Sequence, residues 1–112
     1  MSLAYADEAV HIREVAPLTA RDIARATGAG QSTVEAWLAR TRAPSGTRAE
    51  RLLELAAIVD QATRVLRPDA IPVWLNKPVA SLEQDKPIDV IARGDYRRVA
   101  DVLAGLETAT FS

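Results

Sequence analysis

Residues Pro72–Gly94 read PVWLNKPVASLEQDKPIDVIARG, and the punctuation of this stretch decides what the chain can fold into. Pro72, Pro78, Pro87 and Gly94 cut it into pieces too short to bury themselves. Pro72 suits the first turn of a short helix, where its missing N–H goes unused and its fixed φ matches. Trp74 and Leu75 then face inward. Pro78 drives Lys77 out of the α region, so this helix stops near Asn76 or Lys77. Val79 and Leu82 anchor the following loop, and Pro87 opens a second short helix carrying Ile88, Val90 and Ile91. Gly94 is placed as its C′ residue, where positive φ costs least. A longer helix is expected from about Asp95, with Tyr96, Val99, Leu103 and Leu106 at helical spacing, fading near Thr108.

Upstream, Arg67, Pro68 and Asp69 break a long helix expected to run from a Thr47 cap to about Leu66, with Glu50 completing a capping box. Its residues Leu52, Leu55, Ala56, Val59, Ala62 and Leu66 form one apolar stripe, which Leu53, Ile58 and Val65 widen. A stripe so wide predicts contacts on two sides. TRAPSG, residues 41–46, is a loop by composition. Before it, Leu18–Arg40 reads as helix, tight turn, helix. Thr19 with Asp22 makes a capping-box start, Gly28 supplies a left-handed turn, and Gln31 or Ser32 lies near the second N-cap. Ala24 must be small where the second helix crosses it, and Val34 and Trp37, three apart, pack back onto the first. A first helix over 5–15, built on Ala6, Val10, Ile12 and Val15, ends at Pro17. His11 has no companion ligand or nucleophile in the sequence and reads as a plain surface or partly buried side chain.

A chain of 112 residues can hide roughly 60–70% of its unfolded surface, enough for one small domain or two very small ones. With one Phe, two Trp and two Tyr, the core must come from Ala, Leu, Val and Ile, so an oligomeric contact is a natural supplement. The absence of cysteine excludes a disulfide framework, a thiolate metal site and a cysteine nucleophile. No apolar run reaches the roughly 18 residues a membrane span needs, and the N-terminus lacks a signal-peptide layout, so a cytoplasmic protein is the expectation. The net charge of −1 argues against a general nucleic-acid coat, but residues 18–51 carry +3 against −2 on either side. An enzyme is not expected: there is no Ser/His/Asp set, no phosphate loop and no metal cluster, and neither cofactor nor metal is implied.

The order Trp74, Leu75, Asn76, Pro78, Leu82, Pro87, Asp89, Val90, Ile91, Gly94, Val99 and Leu103 resembles the toxin-binding domain of the MbcA/ParS/Xre antitoxins, partners of RES-domain toxins. That family commonly places Gly-Lys or Gly-Lys-Thr before the second proline-led helix, where this chain has Gln84, Asp85 and Lys86. The spacing of Ala24, Gly28, Val34 and Trp37 is similar to that of Xre-like helix-turn-helix repressors. The resemblance implies an all-α fold in which an Xre-like helix-turn-helix bundle (1–46) is joined by a long connecting helix (47–66) to a small helical toxin-binding module (67–112).

It also implies an antitoxin of a type II toxin-antitoxin system that occludes the active site of an NAD-degrading RES-domain toxin and represses its own operon. Toxin contacts are expected at Trp74, Asn76, Lys77, Pro78, Gly94, Tyr96, Arg97, Thr110, Phe111 and Ser112, the last two as a plug. The implied partners are the RES-domain toxin, a second copy of the chain within a larger hetero-oligomer, and operator DNA. On a major groove the second helix would present Gln31, Ser32, Thr33, Glu35, Ala36 and Arg40, with Arg42 and Arg48 on phosphates. Two alternatives stay open. The chain could be a stand-alone Xre-like regulator. Equally, the helix-turn-helix could be retained as packing alone, since Glu35 repels phosphate and no arginine occupies the second helix's first turn.

Overall fold

The computed structural model describes residues 4–111, and its architecture is all-α. Seven α-helices follow one another: α1 (Ala4–Val15), α2 (Ala20–Thr27), α3 (Gln31–Leu38), α4 (Gly46–Ala62), α5 (Ile71–Leu75), α6 (Pro87–Ala92) and α7 (Tyr96–Phe111). Short 3₁₀ turns at Pro68–Ala70 and Ala80–Leu82 flank α5. Among the described residues the only β-type pairing is an isolated bridge between Val79 and Asp85. No helix there is long and apolar enough to cross a membrane.

Helix α4 is the axis of the fold. Leu52, Leu55, Ala56, Ile58, Val59 and Ala62 are all buried, and α1, α2, α6 and α7 all pack against the helix that carries them. The two-sided stripe therefore has two sets of neighbours, one from each half of the chain. Its buried residues join Ile12, Ile23, Trp37, Trp74, Ile88, Ile91 and Leu103 in a single apolar cluster. Alanines do much of the close packing: α1 buries Ala6 and Ala9 beside Ile12, and Ala16 is buried just after it, while Val10 and Val15, expected inward, are only half-buried. A period drawn through the larger residues overlooked the face on which small ones let α1 approach α4.

Two helix boundaries differ from expectation for visible reasons. α4 starts at Gly46 with Ser45 in the N-cap position, so Thr47 and Glu50 already lie within the helix and the capping box between them does not form. At its other end the N–H groups of Val65 and Leu66 both converge on the Ala62 carbonyl (3.1 and 2.9 Å), which closes the helix four residues before Leu66. Val65 and Leu66 still pack against the core from the turn. α7 does not fade at Thr108 but continues to Phe111.

The predicted stops in the proline-cut stretch are borne out. α5 ends at Leu75 with Asn76 as its C-cap. α6 starts on Pro87 and ends in a Schellman motif: the Asp95 N–H donates to Val90 O (3.1 Å) and the Gly94 N–H to Ile91 O (2.9 Å). Gly94 has φ +88°, and a Cβ there would come within 2.6 Å of the Arg51 guanidinium, itself tied to Glu54 at 2.7 Å. The positive φ is what calls for glycine at this position, while a Cβ would only oblige the flexible end of Arg51 to shift.

His11 is partly exposed and pins α1 to α4 through Nε2 to Asp60 Oδ1 at 2.9 Å. The hydrogen bond to Asp60 is the largest cause of its pKa being raised above the ordinary 6.5; desolvation, the next largest, opposes it, and the charges of Asp60, Glu8 and Glu14 add to the rise. A folded-state pKa above the unfolded one means that the pair's stabilisation is full below about pH 6.5 and fades as pH rises through the raised value. Both groups are well exposed, so the effect is expected to stay below about 1 kcal/mol. Thermal melts at pH 6 and pH 8.5 should show a small wild-type advantage over His11→Gln at the lower pH that disappears at the higher one.

Candidate functional site

Among the described residues, no group of three or more His, Asp or Glu side chains could hold a metal ion. What the fold builds is a pair of surfaces, the outer face of α3 and the end formed by α5 to α7, joined by a polar seam between α2 and α6.

The seam follows from local sequence on both sides. Thr19 and Asp22 form the capping box: Thr19 Oγ1 accepts the Asp22 N–H at 3.1 Å and Asp22 Oδ2 accepts the Thr19 N–H at 3.0 Å. That leaves Asp22 Oδ1 to accept from Asn76 Nδ2 at 3.2 Å, while the same amide donates to Pro72 O at 2.8 Å and so closes α5. One turn along α2, Arg25 grips Asp89 with two parallel bonds, Nε to Oδ1 at 2.7 Å and Nη2 to Oδ2 at 2.9 Å. This two-pronged geometry is the strong form of the Arg–carboxylate contact, and it raises the arginine's pKa above its usual value. Sequence reading missed both links. Their partners lie 54 and 64 residues apart, and no local periodicity signals such a pairing.

The helix-turn-helix forms over α2 and α3. Gly28 sits at φ +80°, with its N–H on Ala24 O at 2.9 Å, and Val34 and Trp37 are buried. The second N-cap is Gly30, so Gln31 is the first helical residue and neither Gln31 nor Ser32 caps by side chain. Gln31, Ser32 and Glu35 are exposed, with Gln31 Nε2 turned onto Glu35 Oε1 at 3.3 Å. Thr33 and Ala36 are half-buried. Arg40 is placed differently from expectation: α3 ends at Leu38, and Arg40 takes the left-handed position (φ +60°) of a Schellman turn. In that turn its N–H bonds Trp37 O and the Thr41 N–H bonds Ala36 O. Its guanidinium then reaches back to Asp7 of α1 at 3.0 Å instead of extending the α3 face. Arg42, in the turn after α3, and Arg48, in the first turn of α4, are exposed and form no ion pair among the described residues.

The residues expected to meet a toxin divide by environment. Trp74 is 7% exposed and belongs to the core, and Asn76 is engaged in the seam. Gly94 lies under Arg51, and Tyr96 is half-buried. Lys77, Pro78, Arg97 and Thr110 are exposed. No hydrogen bond or ion pair links the Lys77–Pro78 corner to Tyr96 or Arg97 among the described residues. Ser112 and the side chain of Phe111, the expected plug, lie outside the described residues. Below α7, an open groove of about 490 Å³ is lined by Ser81, Leu82, Val102 and Leu106, with Arg98 and Asp101 at its edge.

The mycobacterial cidal antitoxin MbcA of Mycobacterium tuberculosis is 31% identical to the chain over 94 residues, which is 84% of this chain and 83% of that protein. The protein of the same description in Mycobacterium bovis matches to the same extent. The chain belongs to the MbcA antitoxin family. A chain of the crystal structure of the M. tuberculosis MbcT–MbcA toxin-antitoxin complex superposes on it with a TM-score of 0.85 and 28% identity, covering 100% of each chain. No protein-family model matches the sequence. Within this MbcA-type fold, the motif residues Trp74, Asn76, Asp89 and Gly94 do internal work: they fill the core, close α5, anchor α6 on α2 and cap α6.

The Arg25–Asp89 contact is about half exposed, so its coupling should be modest. A double-mutant cycle with Arg25→Met and Asp89→Asn, read by urea unfolding, is expected to give a coupling of about 0.5–1 kcal/mol. A coupling indistinguishable from zero would make the seam decorative.

Proposed function

We propose that this chain is the antitoxin of a two-component pair and neutralises its toxin by direct binding, covering the toxin's active site with the end of the molecule formed by α5 to α7. The observation that carries this reading is the likeness, over the whole length of both chains, to a chain of the MbcT–MbcA toxin-antitoxin complex. Steric neutralisation asks for contact area and a protruding element instead of catalytic groups, and this end of the fold has both. The exposed corner at Lys77 and Pro78, the exposed Arg97 and the far end of α7 are proposed as contacts. Trp74, Asn76, Gly94 and Tyr96 are proposed to act mainly by holding those surfaces in place. The toxin is proposed to be of the RES class, which degrades NAD, as the resemblance of the Trp74–Leu103 motif implies. The chain would work as a homodimer within a larger hetero-oligomer.

Coexpression with the product of the adjacent gene is expected to give a complex that survives affinity purification and gel filtration at micromolar concentration. Combined Lys77→Glu and Arg97→Glu should weaken that complex at least tenfold while leaving the melting temperature unchanged. A wild-type chain that elutes alone refutes the reading.

A second activity is favoured by one observation. α3 packs on α1 and α2 and leaves Gln31, Ser32 and Glu35 exposed, and Arg42 and Arg48, in the segment that follows, are exposed with no ion pair among the described residues. We infer that this face binds operator DNA and represses the operon, with Gln31, Ser32 and Thr33 at the groove and the two arginines on phosphates. Arg40, committed to Asp7, contributes less. Arg42→Ala with Arg48→Ala should reduce the slope of log K against log salt by about 2 in a mobility-shift titration on the upstream region. If the wild type shifts no DNA at low salt, α2 and α3 are packing elements only.

A further inference from the structure

The seam that joins α2 to the C-terminal part also lines up cations along its edge. Arg21 precedes Asp22, whose carboxylate holds Asn76, and Lys77 follows Asn76. The bridge between Val79 and Asp85 brings the next residue, Lys86, alongside Pro78, and Lys86 lies one turn before Asp89, which Arg25 holds. Arg21, Lys77 and Lys86 form no ion pair among the described residues. Arg21 and Lys77 are exposed. Lys86 is half-buried, yet among the described residues no buried side-chain nitrogen lacks a hydrogen-bond partner, so its unpartnered ammonium reaches water while its stem is covered.

The carboxylates in the same place are already engaged. Asp22 accepts from the Thr19 N–H and from Asn76, Asp89 takes both prongs of Arg25, and Asp85 is paired with Arg93 at 2.9 Å. The edge therefore presents positive charge with no free acid to match it, although the whole chain carries −1. When the second helix of a helix-turn-helix enters a major groove, the first crosses the phosphate backbone beside it. Arg21 stands in the first turn of α2, so DNA docked on α3 lies along this edge as well as against Arg42 and Arg48. A lysine whose stem is already covered loses less freedom on meeting a phosphate than a fully mobile one, and it serves there as a point charge. Lys77, proposed above as a toxin contact, is not needed for this.

We propose that the DNA-binding surface does not end at the helix-turn-helix but crosses the seam, with Arg21 of α2 and Lys86 at the start of α6 binding backbone phosphates together. The proposal rests on the operator-binding reading above and adds to it a contact from the C-terminal part of the chain. The Asp22–Asn76 and Arg25–Asp89 contacts then act as positioning links that hold Lys86 beside Arg21. Neither cation reads sequence, because the phosphate is the same in every duplex.

The test is a mobility-shift titration of the full chain over a range of salt, on the upstream region and on a random-sequence duplex of equal length, with Arg21→Gln, Lys86→Gln and the two combined. Each single substitution is expected to reduce the slope of log K against log salt by about 1 and the pair by about 2, on both duplexes and with the melting temperature unchanged. Adding Arg42→Ala and Arg48→Ala to the pair should bring the reduction to about 4, since the sites are separate. Lys86→Arg should keep the wild-type slope. A wild-type slope in Lys86→Gln, while Arg42→Ala with Arg48→Ala still reduces it, confines the DNA surface to the helix-turn-helix and overturns the proposal. Weaker toxin binding by Lys86→Gln with an unchanged DNA slope assigns the lysine to the toxin and overturns it as well. A wild-type chain that shifts neither duplex at low salt removes the proposal together with the operator-binding reading.

Discussion

α5 has five residues and α6 has six, and neither could persist alone in water, where isolated helices shorter than about 12–15 residues are marginal. Everything in the C-terminal part depends on laying these pieces against something rigid. For α6 the platform is α2 with α4 and α7 beside it, and α5 in turn lies against α6 and the Pro68–Ala70 turn. Ile88, Val90 and Ile91 of α6 and Ile71, Trp74 and Leu75 of α5 are buried, and their entropy of ordering is offset by that burial. The polar seam then chooses one orientation among those that apolar contact alone would allow. Asp22 is used twice, as the carboxylate of a helix cap and as the acceptor for Asn76, so the start of α2 and the end of α5 are set by one side chain.

This dependence changes how the motif from Trp74 to Leu103 is understood. Residue types spaced like those of a toxin-binding domain need not be the residues that touch a toxin. Here they are chiefly the ones that make a stack of short helices hold its shape, and of the exposed residues nearby only Pro78 belongs to the motif, Lys77 and Arg97 being less distinctive neighbours. The helix-turn-helix is shared in the same way. α2 supports the C-terminal part on one flank and α3 on another, which leaves the outer face of α3 uncovered. The two proposed activities can therefore sit on one body without competing for the same side chains.

α7 joins the two themes. Its first half is held on three sides: Val99 and Leu103 are buried, Gln61 Nε2 donates to Ala100 O at 2.9 Å, and the Ala80–Leu82 turn lies along its flank. Its second half is more exposed: Glu107 lies 3.7 Å from Arg64, and Leu106 lines the groove beside Leu82.

Much of the fold was legible in the order of residues because its determinants are local. Proline fixes φ and bars the α region to its predecessor, which placed the ends of α5 and the start of α6; glycine at positive φ placed the turns at Gly28 and Gly94; and the Thr19–Asp22 pair announced the start of α2. The wide stripe on α4 foretold a helix between two neighbours. Only the tertiary structure decided which exposed groups remain available, because that depends on contacts between residues distant in sequence. Arg25 pairs with Asp89 and Arg40 with Asp7, whereas Arg42 and Arg48 form no ion pair among the described residues. The length of α7 was likewise beyond a reading by apolar period: from Ala104 to Thr110 no residue is buried, so the pattern loses its register there while the helix continues to Phe111.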